Sequence, residues 1–302
     1  MNIELSKLEL SKLDRKTIIP VLAIGLLLLI VVALWSGGVI FKDKSNIVRV
    51  LVLEGIITES DTALTGITPR LVSKYLRQSE DYGAIVLRIN SPGGSVVASQ
   101  EILDIIRRFR RDNNIPIVAS IGETGASGAY YIILRADKIV ANPGSITGSI
   151  GVISQFIYVE GLLNKLGIET EIVKSGEYKD LGSKPMTEEQ KAIIQDVSDD
   201  IYRQFITEVA KSRGMDIGEV KQLATGEVFT GNRAFQLGLI DMVGNLNDAV
   251  VLARELKDLE GEEVEIEYPG DSIGIFDMLN DIRIHIIKSM EGGYSLRWQL
   301  VP

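Results

Sequence analysis

The sequence predicts an α/β domain built on a largely parallel sheet, preceded by one N-terminal transmembrane helix. Three observations carry this reading. Apolar, strand-like runs alternate with helical segments through the middle of the chain, the pattern of β-α-β units. Glycine-rich loops follow two of those runs and open into helices. Near the N-terminus, Thr17 to Phe41 is a run of 25 residues without a charge.

The uncharged run has an apolar centre, Val21 to Leu34, interrupted only by Gly25. About 20 apolar residues in a helix cross a bilayer core, so the segment is long enough. Trp35 stands at its outer end, where an amphipathic ring favours the interface, and Pro20 near its start, where a missing N–H does little harm. Lys7, Lys12, Arg15 and Lys16 precede the span, and Lys42, Lys44 and Arg49 follow it. Arg15 and Lys16 abut the span, which places the N-terminus in the cytoplasm and the folded domain outside, in a single-pass protein of the cell membrane. The rival reading is a cleavable signal peptide. That would need a shorter apolar stretch and a small-residue cleavage site, and none is obvious. The chain then divides into a cytoplasmic tail (1–16), a signal anchor in contact with lipid (17–36), a linker (37–46), a catalytic domain (47–254) and an acidic, amphipathic C-terminal extension (255–302).

Within the domain, Ile47 to Leu53 reads as a strand and Thr68 to Ser79 as a helix opened by Thr68-Pro69. Ala84 to Ile89 is a second strand, leading into Asn90-Ser91-Pro92-Gly93-Gly94. Ser95 to Arg111 is a helix with Val97, Ile102, Ile105, Ile106 and Phe109 on its apolar stripe. Ile117 to Ile121 is a third strand, and Gly122 to Gly128 a turn into a short helix ending near Arg135. Lys138 to Ala141, Ile150 to Ser154 and Glu169 to Val173 are expected as strands, with Val159 to Leu166 a helix among them. Thr187 to Arg213 is a long helix opened by a Thr187/Gln190 capping box.

Composition narrows the chemistry. The chain has no cysteine and one histidine, His285. Cysteine nucleophiles, thiolate metal sites and iron–sulfur clusters are excluded, and a zinc site has too few ligands. No cofactor and no metal is expected. The net charge of −9 argues against nucleic acid as a partner. Walker A, H-E-x-x-H and S-x-x-K motifs are all absent.

What remains is Gly125-Ala126-Ser127-Gly128-Ala129, where a strand meets a helix. Small neighbours let a substrate carbonyl approach, and a helix N-terminus favours developing negative charge, the setting of a nucleophile elbow. The plain reading is a tight turn. A serine nucleophile needs a base. His285 stands in an amphipathic segment far along the chain, which suits a bystander. A buried lysine is the alternative, since burial lowers the pKa of an amine. Lys179, Lys174 and Lys184 all stand near one turn-like stretch, and spacing does not choose among them; Asp180 beside Lys179 counts against it unless its carboxylate turns away. The loop Asn90 to Ser95 presents backbone N–H groups suited to an anion or oxyanion. Gly144 to Gly151 is a third small-residue segment, whose hydroxyls suit a lysine amine.

Five segments in order, NSPGGS (90–95), GASGAYY (125–131), ADKIVAN (136–142), GSITGSIGV (144–152) and SGEYK (175–179), resemble the signal peptide peptidase A family in its short form. The segments Thr230 to Ala234 and Gly238 to Asp241 fit as well, and the resemblance runs from about residue 46 to 253. It implies the α/β spiral shared by the Clp protease proteolytic subunit and crotonases. It implies a serine peptidase with a Ser-Lys dyad: Ser127 as nucleophile, Lys179 as general base, Ser149 holding the lysine amine, and the N–H groups of Gly94 and Gly128 as oxyanion hole. It implies no ATP requirement, signal peptides and other short or unfolded peptides as substrates, and a ring-like homo-oligomer in which Ser127 and Lys179 meet across a subunit boundary. The runners-up are a crotonase-type protein binding acyl-CoA and a catalytically silent membrane scaffold of the same fold.

Overall fold

The computed structural model describes residues 43–59, 66–261 and 263–267, together with residue 25. The expected anchor at 17–36 (apart from residue 25), the tail before it, His285 and the extension beyond 267 lie outside the described residues. Among the described residues, no helix is long and apolar enough to cross a membrane.

The chain runs β1 (Val48–Glu54), α1 (Pro69–Arg77), β2 (Ala84–Ser91), α2 (Val96–Asn113), β3 (Ile117–Ala126), α3 (Gly128–Ile133), β4 (Lys138–Ala141) and β5 (Ile146–Gly148). Then follow α4 (Glu160–Lys165), α5 (Glu188–Arg213), α6 (Ile217–Leu223), β6 (Val228–Thr230), α7 (Gly231–Gln236), β7 (Met242–Val243), α8 (Leu246–Glu255) and β8 (Val264–Glu267). The strands form one sheet in the order β6-β5-β3-β2-β1-β8, with β4 and β7 joined beside the first half of β3. Pairings are parallel except between β5 and β6. Strand β8 belongs to the stretch assigned from sequence to the C-terminal extension, and it pairs with β1.

Local chemistry places the helices. Thr68 caps α1, its hydroxyl accepting from Leu71 N–H at 3.1 Å. Ser95 caps α2, and Thr187 and Gln190 close the capping box of α5. The strands are apolar on both faces, as parallel strands covered on both sides must be. Val48, Val50, Val52, Ala84, Val86, Val118 and Val140 meet Ala249, Val250 and Ala253 of α8. Leu51, Leu53, Ile85, Leu87, Ile89 and Ile121 face the other way, onto the core shared with α1, α2 and α3.

Strand β3 is where structure and sequence expectation part. The turn expected at Gly122 to Gly128 is strand as far as Ala126. Residues Val118 to Ile121 pair with β4, and Thr124 to Ala126 pair with β5 instead. Side chains brace the changeover. Ser145 donates to Gly122 O at 2.5 Å, Asn90 Oδ1 accepts from Thr124 N–H at 3.2 Å, and Arg88 donates to Ile121 O at 3.2 Å. Ser145 is buried, so its bond to Gly122 O satisfies a group that would otherwise be stranded.

Three further expectations fail. The strand expected at Ile150 to Ser154 is not one; the strand is Ile146–Gly148, because those residues find β3 and β6 as partners. Glu169 to Val173 is not a strand either: no strand of the described chain pairs with it, and Val173 is 92% exposed. Val97 is 50% exposed rather than on the buried stripe of α2, which runs through Ala98, Ile102, Leu103, Ile106 and Phe109.

Candidate active site

Ser127 sits between the end of β3 and the start of α3, with φ 54° and ψ −124°. A non-glycine residue at positive φ costs roughly 1–3 kcal/mol and persists only where its surroundings enforce it. Here they do: Ser127 N–H donates to Gly148 O at 2.8 Å, and Ser127 O accepts from Tyr131 N–H at 3.0 Å. The hydroxyl does not cap α3, and among the described residues it has no hydrogen-bond partner. The turn thus lifts a free, half-buried hydroxyl to the mouth of a cleft of about 610 Å³.

The loop after β2 closes against this turn at backbone distance. A Cβ on Gly93 would stand 2.7 Å from Gly128 N and 3.0 Å from Ser127 Cβ. A Cβ on Gly94 would stand 2.1 Å from Ile57 O. Their φ values are 103° and 155°, where side chains are disfavoured. Ile57 donates to Gly93 O at 2.9 Å and accepts from Ser95 N–H at 2.8 Å, so the loop is tied to the chain just past β1. Ser91 Oγ accepts from Gly93 N–H at 3.1 Å. Gly94 N–H donates to nothing among the described residues. Gly128 is the first residue of α3, and its N–H has no carbonyl within the helix to reach. Two unspent N–H groups therefore lie close to Ser127, an arrangement able to stabilise negative charge on a carbonyl oxygen.

Ser149 lines the same cleft, at φ 50°, its N–H donating to Glu227 O at 2.7 Å. The wall opposite is formed by α5. Tyr131 and Phe205 stack edge to face with centroids 5.1 Å apart, and Tyr202 donates to Ala224 O at 2.9 Å. Burial pushes the Tyr131 phenol up, so it stays protonated and presents an uncharged surface to the cleft.

Of the five residues expected from sequence, the structure brings Ser127, Gly94, Gly128 and Ser149 to one cleft. Lys179 is not among its lining residues; its side chain is exposed on the turn before α5. The concern over Asp180 is answered locally: its carboxylate takes Lys174 Nζ at 2.5 Å, and that bond holds the Asp180 carboxyl below the usual range. Lys174 and Lys184, the rival lysines, also stay outside the cleft lining. Sequence reasoning missed Ser99, Tyr131, Tyr202 and Phe205, all of which line the cleft. Ser99 is a polar residue within the buried stripe of α2, but nothing in that pattern pointed to the cleft. The aromatics carried no signal, since they read as ordinary core. Among the described residues, no group of acidic and imidazole side chains could hold a metal ion.

The fold and this site define a peptidase class. The model of peptidase family S49 matches residues 109–260, and the Clp protease model matches residues 42–141. The chain belongs to peptidase family S49 and is a serine peptidase with the Clp protease-like fold. A Synechocystis protein carrying the provisional name protease slr0021 is 41% identical over 68% of this chain and 75% of its own length. An Enterococcus faecium protein, provisionally named signal peptide peptidase SppA, is 39% identical over 67% of this chain and 58% of its own. Protease 4 of Haemophilus influenzae is 30% identical, and the match spans 39% of its length. Among solved structures, a serine-to-alanine mutant of the 1510-N membrane-bound stomatin-specific protease aligns with a TM-score of 0.51 at 18% identity, covering 74% of this chain and 99% of that one. At that identity the likeness speaks for the fold alone.

Proposed function

We propose that this chain is a membrane-anchored serine endopeptidase that degrades residual signal peptides after their release from preproteins. The observation that carries the reading is the free Ser127 hydroxyl, held at strained dihedrals in the cleft that Gly94 and Gly128 also line. The likeness to the Enterococcus protein named for signal peptides supports the substrate class. The uncharged run at 17–36 supports the anchor, with the N-terminus in the cytoplasm and the peptidase domain outside.

Ser127 Oγ attacks the peptide carbonyl while its proton passes to the amine of Lys179. Negative charge gathers on the former carbonyl oxygen, facing Gly94 and Gly128 N–H. The C–N bond breaks, the lysine proton goes to the leaving amine, and an acyl-enzyme remains. Water, losing a proton to Lys179, then attacks the ester and frees Ser127. Ser149 holds the amine in place.

Lys179 comes from a neighbouring copy. Its turn and the segment from Ile153 to Val173 expose Ile153, Ile157, Leu162, Leu166 and Val173 to solvent in the single chain. Apolar surface on that scale suits burial in an oligomer. No ATP is needed, because a short or unfolded peptide enters the cleft without being unfolded first.

The test uses a fluorogenic signal-peptide-like substrate with full-length protein in detergent. Ser127→Ala and Lys179→Ala should each lose turnover, and co-assembly of the two variants should restore a fraction of it. Restoration requires one chain's serine to meet another's lysine. If both variants cut as well as wild type, the dyad is wrong; if mixing restores nothing, the shared site is wrong.

A further inference from the structure

The two N–H groups flanking Ser127 come from segments that no covalent link holds at a set distance. Gly94 precedes α2, and Gly128 begins α3. Their separation depends on how the first turn of α2 packs against the first turn of α3. At that contact stands Ser99.

Ser99 is 3% exposed, and its neighbours on the buried face of α2 are apolar: Ala98, Ile102, Leu103 and Ile106. A Cβ on Gly128 would stand 2.6 Å from Ser99 Oγ and 3.3 Å from Gly94 N. One small region is thus bounded by the Ser99 oxygen, the Gly94 N–H and Gly128. The oxygen cannot drift, because Ser99 Oγ donates to Ser95 O at 2.7 Å while Ser99 N–H donates to the same carbonyl at 3.1 Å. Ser95 is in turn anchored through its N–H to Ile57 O at 2.8 Å. A continuous line of contacts runs from Ile57, just past β1, through Ser95 and Ser99, to Gly128.

Local stability does not explain a serine at this position. Within a helix, serine is a weaker former than alanine, and its bond to the carbonyl four residues back adds little or bends the helix. The adjacent Ala98 shows that a methyl group is tolerated on this face.

We propose that Ser99 is a positioning residue: its hydroxyl is the spacer that sets the gap between the Gly94 and Gly128 N–H groups. This rests on the reading of those two groups as the oxyanion hole. Removing the oxygen lets α3 settle toward α2 and moves the Gly128 N–H off the position where charge develops. Substrate binding along the cleft does not depend on that distance, so the loss falls on the transition state.

The experiment is Ser99→Ala in the full-length protein, with a fluorogenic leucine-rich peptide as substrate and a peptide aldehyde that forms a tetrahedral adduct as inhibitor. Loss of a whole oxyanion donor costs about 100- to 1,000-fold in kcat; a displaced donor should cost about tenfold. Expected are kcat down about tenfold, KM within about twofold, aldehyde affinity weakened in proportion to kcat, and a Tm equal to or above wild type. A merely structural serine would lower Tm and leave the ratio of aldehyde to substrate binding unchanged. The proposal is overturned if kcat and aldehyde affinity stay within about twofold of wild type, or if the loss in kcat tracks a fall in Tm. Ser127→Ala, run alongside, separates the two readings. Full activity in that variant removes the active site itself, whereas an inactive Ser127→Ala beside a fully active Ser99→Ala removes only the spacer.

Discussion

Lys174 and Asp180 close the turn that carries Lys179: the ammonium of Lys174 lies 2.5 Å from the Asp180 carboxylate and also reaches Glu177 O at 2.7 Å. Lys184 adds attraction, and Tyr178 of the same turn is bonded to Glu189 on α5 at 2.6 Å. The carboxylate beside Lys179 is thereby committed to a different lysine.

The bond with Lys174 is the main cause of the lowered Asp180 pKa. A depressed carboxyl stabilises the folded turn above its ordinary titration range, and the contribution is lost as pH falls through the lowered value. In Lys174→Met the Asp180 carboxyl should therefore titrate at higher pH than in wild type. Carboxyl carbon NMR of labelled protein reads this directly, and an unchanged titration would mean that the pair does not form in solution.

Strain at Ser127 should be measurable as stability. Glycine relieves a positive φ worth roughly 1–3 kcal/mol, at an entropic cost of about 0.5–1 kcal/mol. Ser127→Gly is expected to melt a few degrees above wild type and to be inactive. Ser127→Ala, which keeps a Cβ at the same dihedrals, should be inactive without that gain. Paired thermal melts and turnover assays check both.

Glycines near the site differ sharply in what a methyl would meet. On Gly94 it would lie 2.1 Å from a backbone oxygen that cannot step aside, while on Gly144 nothing lies within 4 Å. Gly94→Ala should cost at least about 100-fold in kcat/KM, the scale of a lost oxyanion donor, together with a lower Tm. Gly144→Ala should stay within about 0.5 kcal/mol of wild type in denaturant unfolding, as surface changes do.

Assembly should fail when the exposed apolar segment is made acidic. Leu162 and Val173 are 60% and 92% exposed in the single chain, so Leu162→Glu with Val173→Glu should leave the monomer folded. Sedimentation velocity should then show a smaller species, and turnover should fall with it. A double variant that sediments and cuts like wild type would place the subunit contact elsewhere.

The helix starts were legible because capping is local. Thr68, Ser95 and the Thr187/Gln190 pair bond to N–H groups within three residues of themselves. Short strands were less so. Ile146–Gly148 is three residues long and exists because β3 and β6 flank it, a fact written elsewhere in the chain. Glu169 to Val173 has a strand-like sequence but no partner strand among the described residues. Of the site, the turn at Ser127 and the loop at Gly94 could be read, because each lies where a strand runs into a helix. Ser99 could not, since its role depends on α3 passing close by.

By itself the sequence determined the α/β class, the mostly parallel sheet and the strand-to-helix turn that presents Ser127. These follow from periodicity and from which residues tolerate tight backbone. Only the tertiary structure decided that β3 changes partner from β4 to β5, that Gly94, Gly128 and Ser127 line one cleft, and that Lys179 stays outside the cleft of its own chain. Those depend on contacts between segments tens of residues apart, and a local pattern carries no record of distance.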